Sequence, residues 1–96
     1  MNNTLHIVYV SIDLLSSAEY NPRTWDAYQK EQLKESITRF GVVDPLLVNG
    51  AEDRKNIVIG AHFRLTVLKE LGFTEVPVVY IYISDIEKEK ELNILA

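Results

Sequence analysis

Two helical runs in this chain stop at a glycine, and a strand-forming segment follows each stop within a few residues. From Trp25 to Phe40, Leu33, Ile37 and Phe40 recur at helical spacing among good helix formers, and Gly41 stands where a left-handed cap belongs. From Ala61 to Leu71, the residues Leu65, Leu68 and Leu71 share one side, and Gly72 ends the run in the same way. Leu46 to Val48 reads as a strand after the first stop. Val76 to Ile83 reads as a strand after the second, with Pro77 confined to its start because proline cannot donate to a ladder. This alternation predicts an α+β domain in which helices cover a sheet.

The remaining segments complete that picture. Leu5 to Val10 is rich in β-branched and aromatic residues and reads as a first strand, and the polar stretch through Ser16, Ser17 and Asn21-Pro22 reads as loop. Asn56 to Ile59 reads as a short strand paired with Leu46 to Val48 across the polar tip Asn49 to Asp53, where Gly50 suits a turn. Ser84 with Glu87 forms a capping-box pattern for a third helix running to the last residue. The expectation is a small mixed sheet with three main helices, one domain over residues 1–96 and the piece of a longer protein that an unfinished third helix implies.

Composition narrows the function classes. The 96 residues, 47% apolar and 25% charged, fit a single core. There is no cysteine, which removes disulfides, thiolate metal sites and cysteine nucleophiles, and makes the cytoplasm the default compartment. No apolar run approaches the ~20 residues that span a bilayer, so no membrane association is expected. A net charge of −4 argues against a domain that holds duplex DNA mainly by neutralising phosphates. Two histidines, His6 and His62, are too few for a histidine metal cluster.

Chemistry concentrates in Ile57-Val58-Ile59-Gly60-Ala61-His62-Phe63-Arg64, an apolar strand that turns through small residues into a helix. Backbone N–H groups and the positive end of the helix dipole favour an anion at such a junction, and Arg64 can add a bidentate clamp. The alternative is that Gly60 only makes the turn and Arg64 is a solvated side chain. His62 has the ordinary pKa of about 6.5 that suits proton transfer, although a histidine in this setting more often hydrogen-bonds.

In order along the chain, Asn21-Pro22-Arg23, Ser36-Ile37 with Gly41, Pro45-Leu46-Leu47-Val48, Gly60-Ala61-His62-Phe63-Arg64, Leu71-Gly72 and Val76-Pro77-Val78 resemble the pattern of ParB-like and sulfiredoxin-like domains. The resemblance covers nearly the whole chain and implies that fold. It also implies an anion-contacting pair, Arg23 and Arg64, with a cradle of Gly60, Ala61 and His62 and a facing loop shaped by Ser36, Gly41 and Pro45. Helix capping accounts equally for Gly41, strand initiation for Pro45, and a polar helix face for Ser36. His62 stands where sulfiredoxins carry their cysteine, so sulfinic-acid reduction is excluded. Of the three arginines in the partition proteins' cytidine-triphosphate motif only Arg64 is kept, the others falling on Phe63 and Thr66, and Ala61 replaces the motif's opening glycine. The nearer likeness is to a G-H-x-R subgroup found in phage and plasmid proteins, in transcriptional regulators and ahead of DNA methyltransferases.

The resemblance thus implies a nucleotide- or phosphate-binding module, with a nucleoside triphosphate and magnesium as its cofactor, acting in a larger DNA-associated protein of partition, transcriptional regulation or DNA modification and allowing a homodimer. Two alternatives stand beside it. One is a nucleoside triphosphatase or nuclease using His62 or a metal-held water, for which Asp44, Asp53 and Lys55 give a faint carboxylate pattern in a chain with no assigned metal site. The other is a non-catalytic interaction domain whose site has decayed. Tyr20, Trp25 and Tyr28 flank the Asn21-Pro22-Arg23 loop and can stack a base, though packing is their commoner use.

Overall fold

The computed structural model describes residues 6–19, 26–42, 44–60 and 62–95, so the Asn21-Pro22-Arg23 loop and Ala61 lie outside the described residues. Five strands form one sheet: β1 (Ile7–Ser11), β2 (Ser16–Ser17), β3 (Leu46–Asn49), β4 (Ile57–Val58) and β5 (Glu75–Ile81). Its order is β1-β5-β3-β4-β2, with β5 antiparallel to β1 and parallel to β3, and β4 antiparallel to β3 and parallel to β2. Three helices, α1 (Ala27–Phe40), α2 (His62–Glu70) and α3 (Ile86–Leu95), complete the mixed α+β fold that the sequence predicts.

Each helix is bounded by identifiable chemistry. Asp26 caps α1 by accepting the Gln29 N–H at 2.7 Å, which places the start two residues after Trp25. Past the end of α2, Phe73 N donates to Leu68 O and Gly72 N to Lys69 O, the paired bonds of a Schellman motif, with Gly72 at φ +84°. Asp85, one residue beyond the Ser84 of the expected capping box, caps α3: its side chain accepts the Glu87 N–H at 2.9 Å. The core lies between the sheet and the helices, with Leu46, Val48, Val58, Val76 and Val78 from the strands meeting Ile37 of α1 and Leu65 and Leu68 of α2.

Four local expectations change. Ser16 and Ser17 form β2 rather than loop, pairing with Ile57 and Val58; an edge strand that contributes only backbone bonds needs no apolar side chain. In the connection between β3 and β4 the left-handed residue is Asn56, at φ +67°, not Gly50. Gly50 instead admits a neighbour: a Cβ there would lie 2.6 Å from the Tyr82 ring, which sits beyond the end of β5 rather than within it. Pro77 is the third residue of β5, but the ladder to β3 begins at Val78, so Pro77 occupies the part of the strand flanked by β1 alone.

Candidate functional site

The turn from β4 into α2 is the centre of the site. Gly60 adopts φ +82°, a conformation that side-chain-bearing residues rarely take, and so aims the chain from the sheet into α2. Beside it opens a cleft of about 480 Å³ lined by Leu33, Asp44, Pro45, Leu47, Ile59, Gly60, Phe63 and Arg64. Leu33, Pro45, Leu47, Ile59 and Phe63 give it mainly apolar walls, and Asp44, Gly60 and Arg64 supply its polar groups.

Arg64 is partly buried and donates from Nη1 to the Asp44 carbonyl at 2.7 Å, which fixes the guanidinium at the cleft rim. Among the described residues no carboxylate forms a salt bridge with it. An arginine carries five N–H donors in a planar fork, so this carbonyl contact orients the group while leaving it able to grip an anion. Ser36 and Gly41 border a smaller adjoining recess of about 150 Å³ that shares Leu33, Asp44 and Arg64 with the cleft. The fold brings Ser36, Gly41, Pro45, Gly60 and Arg64 to one region, whereas His62, the cradle residue of the same expectation, lines neither cavity; Arg23 and Ala61 fall outside the described residues.

His62 is placed differently from its neighbours. It is 3% exposed, and its Nε2 donates to Asn93 Oδ1 at 3.0 Å. The same Asn93 oxygen accepts the Gly60 N–H at 2.7 Å. One carboxamide of α3 thus binds both ends of the junction, and the imidazole faces the interior rather than the cleft.

A second polar cluster lies one turn earlier on α3. Glu89, fully buried, accepts from Asn49 Nδ2 at 2.7 Å, from Arg54 Nε at 3.2 Å and from Arg54 Nη2 at 2.9 Å. Arg54 Nη1 also reaches Glu19 at 2.8 Å, and these bonds hold the guanidinium pKa far above its ordinary value. Glu19 is held below the usual carboxylate range by its own backbone N–H and then by Arg54. Asn49 Oδ1 accepts the backbone N–H of Ala51 and of Ile83, and its Nδ2 also donates to the Ile83 carbonyl at 2.8 Å. Sequence reasoning passes over Asn49, Arg54, Glu89 and Asn93 because each reads as a surface polar residue. The only signal is the four-residue spacing of Glu89 and Asn93, which puts them on one face of α3. Among the described residues no group of three or more His, Asp or Glu side chains could hold a metal ion. Asp44 borders the cleft, whereas Asp53 sits in the single 3₁₀ turn Glu52–Arg54 between β3 and β4.

A mixed five-stranded sheet with a strand–glycine–helix junction and this helix arrangement defines the ParB/sulfiredoxin-like class of domain. The chain belongs to the ParB N-terminal domain family, which matches residues 1–95. It is 34% identical over 91 residues, 94% of this chain and 100% of the relative, to the ParB-like nuclease domain-containing protein YnaK of Escherichia coli (strain K12). It is 28% identical over 82 residues to the nucleoid occlusion protein of Lysinibacillus sphaericus (strain C3-41), covering 84% of this chain but only 28% of that protein. The C-terminally truncated chromosome-partitioning protein ParB from Caulobacter crescentus, solved with CTP-gamma-S, superposes with a TM-score of 0.80 at 24% identity, over 94% of this chain and 51% of that one. Among the described residues no helix is long and apolar enough to cross a membrane.

Proposed function

We propose that this chain is a phosphate-binding module whose ligand is a nucleotide, acting within a DNA-associated protein of partition, transcriptional regulation or DNA modification. The observation that carries this reading is the cleft itself: a mainly apolar cleft lined also by Gly60 and by an oriented Arg64 free of any salt bridge among the described residues. The apolar walls suit a base and sugar, Arg64 suits a phosphate, and Arg23 is the second cation by resemblance. The CTP-gamma-S held by the Caulobacter protein makes cytidine triphosphate with magnesium the first ligand to try.

A binding role is favoured over hydrolysis by the position of His62, the candidate proton carrier, which is buried and committed to Asn93. Nucleotide binding then works as a switch, with the phosphate engaging Arg23 and biasing α3 or a contact between two copies.

Calorimetric titration of the chain with cytidine, adenosine, guanosine and uridine triphosphates, each with magnesium, tests this. The expected result is saturable binding of at least one, weakened about tenfold or more by Arg64→Ala, the range of a lost charge-assisted hydrogen bond. Absence of binding up to millimolar concentration overturns the reading, and so does binding that Arg64→Ala leaves untouched.

A further inference from the structure

We infer that β1 is a docking edge for a second copy of this chain, whose own β1 adds antiparallel across a twofold axis at Tyr9 and joins the two five-stranded sheets into one. The inference is independent of the nucleotide reading, because β1 contributes no residue to the cleft.

The ladder to β5 determines which way the backbone of β1 faces. The two strands pair one-to-one from Ile7 with Val79 to Ser11 with Glu75, and Tyr9 stands opposite Pro77. Proline has no N–H, so Tyr9 and Pro77 cannot exchange the two bonds of a hydrogen-bonded pair. The bonds to β5 therefore fall to Val8 and Val10, a phase that continues in Ile12, whose N–H donates to Thr74 O at 2.9 Å. The N–H and C=O groups of Ile7, Tyr9 and Ser11 point the other way, toward the outer edge, where the sheet ends at β1 among the described residues.

This edge carries none of the usual protection against pairing. The strand Ile7-Val8-Tyr9-Val10-Ser11 has no charge and no proline, and its unbroken register has no bulge. Ile7 is 56% exposed, Val8 42% and Tyr9 68%. An open row of backbone donors and acceptors flanked by apolar side chains is completed by another uncharged extended strand.

A second copy fits because the edge is its own complement. Under a twofold axis at Tyr9, Ile7 pairs with Ser11 of the second copy, Tyr9 with its own counterpart and Ser11 with Ile7 of the second copy, so every outward residue meets an outward residue. On the other face of the sheet, Val8 lies across from Val10 of the second copy. The contact joins two aromatic rings and two valine pairs and brings no like charges together. It also consumes this edge in both copies, and β2, at the far end of the sheet, has only two residues, so assembly stops at the dimer. A single strand pair buries less than the ~1,200 Å² at which specific stable interfaces begin, so the dimer is a reversible one.

Sedimentation equilibrium of the chain from about 5 µM to about 500 µM, a range suited to small interfaces, measures this. The wild type is expected to pass from monomer to dimer and no further. Tyr9→Lys sets two like charges against each other at the axis and is expected to weaken the dimer about fivefold or more, whereas Tyr28→Lys, the same charge at a tyrosine 72% exposed on α1, changes it less than about twofold. Tyr9→Pro removes an N–H that faces outward and not one bonded to β5, and is expected to weaken the dimer by at least as much. Because the chain has no cysteine, Tyr9→Cys reports on register: the Cα separation of about 5.5 Å in such a pair lies in the disulfide range, so oxidation cross-links Tyr9→Cys and not Tyr28→Cys. Thermal melts confirm that each variant is folded, and should Tyr9→Pro fail to fold, Tyr9→Lys and Tyr9→Cys carry the test. A wild-type chain that stays monomeric across the range overturns the inference and leaves the edge to a strand of another protein. A dimer that Tyr9→Lys leaves intact, or that cross-links as readily through Tyr28→Cys as through Tyr9→Cys, overturns it by placing the contact elsewhere.

Discussion

At the scale of single residues, Gly41 shows how a backbone requirement can be stricter than the motif that announces it. It ends α1 by donating to the Ile37 carbonyl at 2.7 Å, which any residue could do. Its conformation is φ +78° and ψ −172°, outside the ordinary left-handed cap and in a region that only glycine enters without strain. That angle directs the chain away from the helix toward Asp44 and Pro45, the residues that wall the cleft. A Cβ at Gly41 meets nothing within 4 Å, so a substitution is charged for backbone strain alone. Gly41→Ala is expected to lower stability by about 1–3 kcal/mol in urea unfolding, with the slope of the transition unchanged. A loss below about 0.5 kcal/mol would mean that the loop relaxes to another path. Gly50 is the contrasting case: its φ is ordinary, and its requirement is the Tyr82 ring, a side chain 75% exposed that can swing aside.

At the scale of elements, α1 and α2 are joined across their exposed sides as well as through Ile37, Leu65 and Leu68. Lys30 and Lys34 both reach Glu70, at 2.6 and 3.0 Å. The hydrogen bonds from Lys30 and then Lys34 hold the Glu70 carboxyl below its ordinary pKa, and the Glu70 bond raises that of Lys34. A depressed carboxylate contributes stability that is present above the unfolded value of about 4.3 and is lost as pH falls through the folded value. The raised lysine contributes below its unfolded value of about 10.4 and loses that contribution as pH climbs through the folded one. Glu70→Gln should therefore flatten the pH dependence of the melting temperature at both ends, below about pH 4 and above about pH 10, and change little between. Melting curves of the two proteins from pH 3 to 11 check it; parallel curves throughout would show that the clasp makes no net contribution, as many exposed pairs do not.

The same scale separates what can be read in the sequence from what cannot. Elements whose purpose is apolar burial were legible: Leu33 and Ile37 announce the inner face of α1, although Phe40 of the same stripe is 66% exposed, and Leu65, Leu68 and Leu71 announce that of α2. The helix stops at Gly41 and Gly72 were legible because both require positive φ. The strand–glycine–helix junction and Arg64 were legible for the same kind of reason, a small residue before a helix and a cation in its first turn. What was not legible is held by polar groups meeting across long separations. Asn49 and Glu89 are 40 residues apart, and Gly60 and Asn93 are 33 apart. Nothing in local periodicity tells a glutamate that will be fully buried from its solvated neighbours Glu87 and Glu91, because burial there is decided by Arg54 arriving from another element. α3 therefore shows its start to within a residue in the sequence, with Asp85 in place of Ser84 as the cap, but not the face on which it docks.

At the scale of the whole molecule, the relation to partition and nucleoid-occlusion proteins raises the question of whether this chain holds DNA itself. Its net charge of −4 opposes approach to a polyanion. The distribution of cations opposes it further: Lys30 and Lys34 face Glu70, Arg39 faces Glu35, Arg54 lies between Glu19 and Glu89, and Lys90 faces Glu87. Neutralising a phosphate with one of these five side chains means giving up a carboxylate, which among the described residues leaves Lys55, Arg64, Lys69 and Lys88 as the cations that can release counterions without that loss. Arg64 is oriented into a cleft beside Asp44, a geometry for one phosphate and not for a row of them. The chain alone is accordingly expected to bind duplex DNA no more tightly than about 10⁻⁴ M at about 0.15 M salt, the weak end of non-specific binding. Fluorescence anisotropy with a labelled duplex, across a series of salt concentrations, measures this. Micromolar binding with a steep loss on adding salt would reveal a phosphate-neutralising face and make the domain a direct DNA contact. Weak and nearly salt-independent binding would show that this domain is not itself a direct DNA contact, and leave the cleft as its own site of recognition.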